Sequence, residues 1–310
     1  AATTFEVSIN PFFPAIPAWV VILAYFIINI VLVLKRSSII DTIGKFLTPA
    51  LIIILVVLII KGIFMPIGTI SQNNDTGVFA YSLLEGYQTI DALAALLFAA
   101  IITSSIKNKG YKGKEMSKVL LIGSLVAVIG LAFVYGGITY IGAQTSGLVS
   151  GDINKTSLLV LIAKNVLGSA GPILIGVAMA LACLTTSIGL ITAGADYFET
   201  ITKGKLSYKF NVLAISIVSF TVALLGVDNI VVFSAPILNL LYPVSITIIV
   251  FALLHKHIKI KAGRLGVYTS LVFSILLLIP GLNLNFLPLA SIGFGWLLPT
   301  ALAMIIGLFI

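Results

Sequence analysis

The sequence predicts an all-α polytopic membrane protein, and three observations carry the prediction. The composition is too apolar for a water-soluble globule: 60% of the 310 residues are hydrophobic and 9% are charged, where soluble domains carry about 25% charged residues. Mean hydropathy is +1.21. Apolar runs long enough to cross a bilayer, about 20 residues each, recur along the whole chain. The basic residues between the runs collect on alternate loops. Cys183 is the one cysteine, which excludes an internal disulfide and a cysteine-based zinc site.

The apolar runs lie at about 18–34, 46–64, 77–103, 117–141, 171–198, 210–227, 229–254, 264–280 and 289–310, giving nine spans. Residues 1–10 read as the tail of an earlier helix, followed by a loop punctuated by Pro11, Pro14 and Pro17. The chain is therefore expected to be incomplete at its N-terminus. Lys35, Arg36 and Lys45 follow the first span, and Lys107, Lys109, Lys112, Lys114 and Lys118 the third. Lys203, Lys205 and Lys209 follow the fifth, and Lys256, Lys259, Lys261 and Arg264 the seventh. The other loops hold only Lys61, Lys155 and Lys164, so 15 of the 18 cationic residues share one side. The positive-inside rule makes that side cytoplasmic and puts the C-terminus there too. The net charge of +8 is then topogenic, and no nucleic-acid partner is called for. Segment 142–170 is the one long outer loop, with a short surface helix expected over 156–167. One transmembrane domain, residues 1–310, accounts for the chain.

The third span, GVFAYSLLEGYQTIDALAALLFAAIIT, holds Glu85 and Asp91 at mid-depth around a Gly-Tyr-Gln-Thr run. A charge at mid-membrane costs roughly 2.5–3.5 kcal/mol on insertion scales, and Gly86 weakens a helix by about 1 kcal/mol. Two half-helices are expected, about 77–84 and 89–103, joined by an unwound stretch facing a protein-lined cavity. With Thr89 as N-cap, Asp91 falls in the first turn of the second half, where a carboxylate suits the dipole. Glu85 reads either as a buried, paired or protonated acid, or as a site acid that attracts an ammonium or takes a proton. Tyr87, Gln88 and Thr89 add hydrogen-bonding side chains beside it.

The fifth span places Thr185 and Thr186 at mid-membrane among small residues. A single Thr in such a helix ordinarily bonds its own i−4 carbonyl. Two adjacent hydroxyls with a freed Ala182 carbonyl would offer three hard oxygens, a set that suits Na⁺. Asp196 and Glu199 lie at the inner mouth, and Cys183 reads as a small hydrophobe. Gly123, Ala127 and Gly130 in the fourth span fit helix packing. Pro236 and Pro243, with Asn239 between them, predict kinks in the seventh. His255 and His257 fall in a Lys-rich loop and read as solvated. There is no P-loop, no Gly-x-Ser-x-Gly elbow and no zinc spacing.

The segments AATTFEVSINPFFP, LLEGYQTIDALAALLF, LACLTTSIGLITAGADYFE and SAPILNLLYPVSI resemble the bacterial branched-chain amino acid carrier family, cation symporters for Leu, Ile and Val. The resemblance implies a leucine-transporter-like fold of the APC superfamily, with two inverted repeats of five helices and broken first and sixth helices. The third span looks like that broken sixth helix and the fifth like helix eight. Ala182, Thr185 and Thr186 would then be ligands of a coupling Na⁺, and the run Glu85, Gly86, Tyr87, Gln88 and Thr89 would contribute to the substrate pocket. The chain would start near the end of the family's third helix and lack the first broken helix. Implied partners are a branched-chain amino acid, the coupling cation and the lipid bilayer of a bacterial cell membrane; no cofactor is implied.

The leading function is secondary transport of Leu, Ile or Val with Na⁺, or H⁺ as the lesser choice. Another amino-acid transporter of the same fold is the alternative. An intramembrane protease would need Asp91 and Asp196 as a dyad, but their depths differ by roughly 15 Å at the usual helical rise. A channel would need a filter motif or a charge-lined helix, and neither is visible. The chain is therefore not expected to be an enzyme.

Overall fold

The computed structural model describes residues 1–35, 39–71, 77–149, 153–256, 258–282, 284 and 286–309, without the side chains of 39–47, 97, 100 and 101. Arg36 and His257 lie outside the described residues. Among the described residues the regular structure is helical throughout. A π-helical turn, Thr4–Ile9, precedes α1 (Ala18–Leu34), α2 (Ile39–Phe64), α3 (Val78–Glu85) and α4 (Asp91–Asn108). There follow α5 (Gly113–Gln144), α6 (Lys155–Leu167), α7 (Gly171–Ile201), α8 (Tyr208–Ala223), α9 (Val227–Leu254), α10 (Ile260–Leu278) and α11 (Leu297–Phe309).

Among the described residues four helical stretches are long and apolar enough to cross a membrane: Gly113–Gly147, Lys155–Ile201, Val227–Leu254 and Ile260–Leu278. Shorter apolar helices are Ala18–Leu34, Thr48–Phe64, Tyr208–Ala223 and Leu297–Phe309. The sequence-predicted spans fall on these helices and on the α3–α4 pair, with two adjustments. The second begins at Ile39, well before residue 46. The ninth begins only at Leu297. Residues 289–296 are a short 3₁₀ turn, Ala290–Ile292, between Leu289 at φ 66° and Gly293 at φ 82°. That loop is as apolar as a helix, so hydropathy alone runs through it.

The described chain divides into two compact units, Ala1–Gln72 with Leu125–Ile230, and Asn73–Ser124 with Val231–Ile310. In the first, α7 packs on α1, α2, α6, α8 and the π-helical turn. Its small residues let it do so, as small side chains do between membrane helices. At Gly176 an added Cβ would come within 3.1 Å of the Ser8 Cα, and the Ser8 hydroxyl donates to the Gly176 carbonyl at 2.6 Å. Val7, Leu58, Ile59, Ile141, Ile162 and Ile175 close one buried cluster.

Two polar side chains satisfy helix ends in this unit. Gln144, 1% exposed, donates from Nε2 to the Gly62 carbonyl at 3.0 Å and accepts the Ile67 amide at 3.0 Å. Glu6 accepts the Thr156 hydroxyl at 2.8 Å and the Val227 amide at 2.9 Å, capping the start of α9 where a carboxylate suits the orphan amides. The helix expected over 156–167 is α6, begun by the Asn154 side chain accepting from the Ser157 amide at 2.7 Å. It does not simply lie on the surface: Ile162, Ala163 and Val166 are buried against its neighbours. Gly123, Ala127 and Gly130 do not form the packing face expected of them. They are exposed, and a Cβ at either glycine would meet nothing within 4 Å; the close approach comes lower on α5, at Gly137 against Ile59.

In the second unit α10 and α11 form the closest helix pair. They cross where Gly307 lies on Ala262, so tightly that a Cβ there would overlap the Ala262 backbone. Leu238, Tyr242 and Tyr87 make the buried cluster of this unit.

Candidate functional site

The third span is broken as its sequence requires. The α-helical ladder of α3 ends at Glu85, a 3₁₀ turn runs Gly86–Thr89, and α4 begins at Asp91. Between them Ile90 sits in the left-handed region at φ 61°, ψ 8°. A β-branched residue is a true outlier there, and such a backbone costs on the order of 1–3 kcal/mol. The expected N-cap is corrected. The Thr89 hydroxyl turns back to the Gly86 carbonyl at 2.8 Å, so Ile90 occupies the cap position, and its apolar side chain makes no cap bond. Asp91 does lie in the first turn of α4, at the helix end that favours a negative charge.

The turn sorts the five residues expected at the site. Tyr87 is buried, Glu85 and Gln88 are half-buried, and Gly86 and Thr89 are exposed. Tyr87 stacks on Tyr242 of α9, with ring centroids 4.2 Å apart and planes 12° from parallel. It meets Phe294 edge-on at 6.4 Å. The Ser234 hydroxyl donates to Gln88 Oε1 at 3.4 Å. Tyr242, Ser234 and Phe294 escaped sequence reasoning, because Tyr and Phe in apolar spans carry no mark of a site.

The cation candidates lie on α7, which is regular from Gly171 to Ile201. The Ala182 carbonyl is therefore not freed by a break. It accepts the Thr185 hydroxyl at 2.9 Å, and the same hydroxyl lies 3.1 Å from the Leu181 carbonyl. Thr185 is half-buried and Thr186 exposed. Below this pair is a polar network that sequence reading missed. Ser187 donates to Asn29 Oδ1 at 2.6 Å and exchanges a hydrogen bond with the Tyr25 hydroxyl at 2.9 Å. Asn29, fully buried, donates to the Tyr25 carbonyl at 3.0 Å. A lone Asn in an apolar run was the available signal, since interhelical amides are a common link between membrane helices. Further along α7, Glu199 accepts the Tyr208 amide at 3.0 Å and so caps α8. Cys183 packs beside the Ile22–Tyr25–Phe26 cluster, as a small hydrophobe would.

The whole chain, residues 1–310, matches the family model described as "Branched-chain amino acid transport protein". The chain belongs to that family. The branched-chain amino acid permease BraB of Bacillus subtilis (strain 168) is 32% identical over 326 residues, 98% of this chain and 73% of the relative. A proposed branched-chain amino acid carrier of Staphylococcus aureus (strain USA300) is 33% identical over 341 residues, 100% of this chain and 76% of the relative. Its counterpart in the bovine strain RF122 is 34% identical over the same length. No solved structure matches the chain. Membership of this transport family, with the apolar helices, makes the chain an all-α, multi-pass membrane protein. Family membership covers both the broken third span and α7.

Proposed function

We propose that this chain is a secondary active transporter that imports branched-chain amino acids (Leu, Ile, Val) by symport with a cation, Na⁺ rather than H⁺. Residues 1–310 act as one transporter domain in the bacterial cytoplasmic membrane, with the C-terminus in the cytoplasm. The reading rests on the broken third span, held open by Ile90 in a conformation that a packing helix has no reason to adopt. Half-helices meeting at an interrupted span are how many transporters hold a substrate at mid-membrane. This one supports a leucine-transporter-like arrangement.

In that reading the run Glu85, Gly86, Tyr87, Gln88 and Thr89 contributes to the substrate pocket, and the Glu85 carboxylate draws the substrate ammonium towards it. On α7 the Thr185 hydroxyl proton is held by backbone carbonyls. Its oxygen lone pairs are left for a hard cation, with the Ala182 carbonyl and the Thr186 hydroxyl as fellow ligands. Rocking of one helix group against another completes alternating access.

Leucine uptake into proteoliposomes, under Na⁺ and pH gradients imposed separately, tests the proposal. Wild type is expected to concentrate leucine on a Na⁺ gradient, and Thr185→Ala with Thr186→Ala to abolish it. Uptake driven by pH alone and indifferent to both threonines would overturn the α7 cation site and move coupling to Glu85.

A further inference from the structure

A cavity of about 150 Å³ lies in the second unit, between the broken span, α9, α10 and the loop before α11. A cavity of that size in a protein core is known to admit a benzene-sized ligand. Two of its lining side chains end in hydrogen-bond donors that, among the described residues, have no partner: the Tyr87 hydroxyl and the Trp296 indole N–H. Both residues are more than nine-tenths buried, at 8% and 4% exposed. Buried polar groups are almost always satisfied, and each exception asks for an explanation.

The remaining lining has a complementary chemistry. The Ser274 hydroxyl gives its proton to the Ser270 carbonyl at 2.7 Å, so towards the cavity it offers lone pairs. Asn239 adds an amide oxygen. Leu84, Pro243, Leu277 and Ala290 supply apolar wall, and among the described residues no charged side chain lines the space. Donors, acceptors and an apolar wall together match a molecule with an oxygen acceptor, an N–H donor and a short aliphatic body.

We propose that this cavity is a recognition site for a branched-chain α-amino acid, with Tyr87 and Trp296 donating to its carboxylate and Ser274 and Asn239 accepting from its ammonium. The inference rests on the transport reading for the identity of the substrate. It extends recognition from the 85–89 turn to Asn239 and Pro243 of α9, which the sequence marked only for a kink, and to α10 and Trp296, which it did not mark.

Equilibrium binding of radiolabelled leucine to the purified protein tests it, in wild type, Tyr87→Phe and Trp296→Phe, with the thermal midpoint of each ligand-free protein. Tyr87→Phe keeps the ring and removes only an unsatisfied donor, so its ligand-free midpoint should stay level or rise; Trp296→Phe also leaves a void, so its midpoint should fall modestly while the protein stays folded. Each should weaken leucine binding about tenfold or more, the cost of one lost bond to a charged group. Competition by 4-methylpentanoate, which keeps only the carboxylate, should weaken in the same variants. Competition by isoamylamine, which lacks it, should not. Leucine affinity unchanged in both variants would overturn this site while leaving Na⁺-driven uptake intact. Loss confined to Tyr87→Phe would overturn it too, because recognition would then stop at the turn. If wild type binds no leucine, the substrate reading fails and this site with it.

Discussion

The third span and α7 face the same difficulty and resolve it in opposite ways. Each carries polar side chains at the middle of an apolar run. The third span gives up its helix: the ladder stops at Glu85, a 3₁₀ turn follows, and Ile90 takes a left-handed conformation before α4 resumes. The gain is a turn released from the α-helical ladder, on which Tyr87 is buried while Gly86, Thr89 and Ile90 are exposed. In α7 the ladder is unbroken, and its hydroxyls fold back onto carbonyls one turn earlier. What α7 presents is side-chain oxygen rather than backbone. Breaking a helix offers donors and acceptors of both kinds, as a zwitterion requires. Keeping it intact offers oxygen alone, as a cation requires.

The contrast is most easily broken at Ile90. Proline cannot reach φ 61° and would remove the amide that bonds the Tyr87 carbonyl at 3.1 Å. Ile90→Pro should therefore destabilise the protein by about 3 kcal/mol or more, read as a large drop in the thermal midpoint in detergent. Ile90→Gly should act in the other direction. Glycine adopts this conformation without steric cost, so the midpoint should rise by the equivalent of about 1 kcal/mol; a fall would mean that the Ile90 side chain, not its backbone, holds the break. The smallest effect belongs to α7. Thr185→Val removes bonds made only within its own helix, so it should cost about 0.6 kcal/mol or less in chemical unfolding, even while Na⁺-driven uptake is lost. A cost of several kcal/mol would show that Thr185 serves the fold before any ion.

These differences also explain what could be read from sequence. The spans were legible because a bilayer demands long apolar runs, and the broken one because Gly86 and two carboxylates interrupt it. The start of α11 was not, since loop residues such as Leu289 and Phe294 are as apolar as the helix that follows. Thr89 had the chemistry of an N-cap but bonded the turn behind it, a choice between two nearby carbonyl and amide partners that composition does not settle. Of the site, the 85–89 run and the threonine pair were visible as residue types. Their neighbours were not: Asn29 and Ser187 meet across 158 positions, and Tyr87 finds Tyr242 across half the chain. Such partners are set by tertiary packing.

The crossing of α10 and α11 has a mechanical consequence. With Gly307 seated on the Ala262 backbone and Gly266 under Met304, neither helix can slide along the other without lifting off it. The C-terminal hairpin is thus a stiff lever. A displacement of one arm is therefore expected to carry the other with it, and Trp296, at the root of α11, too.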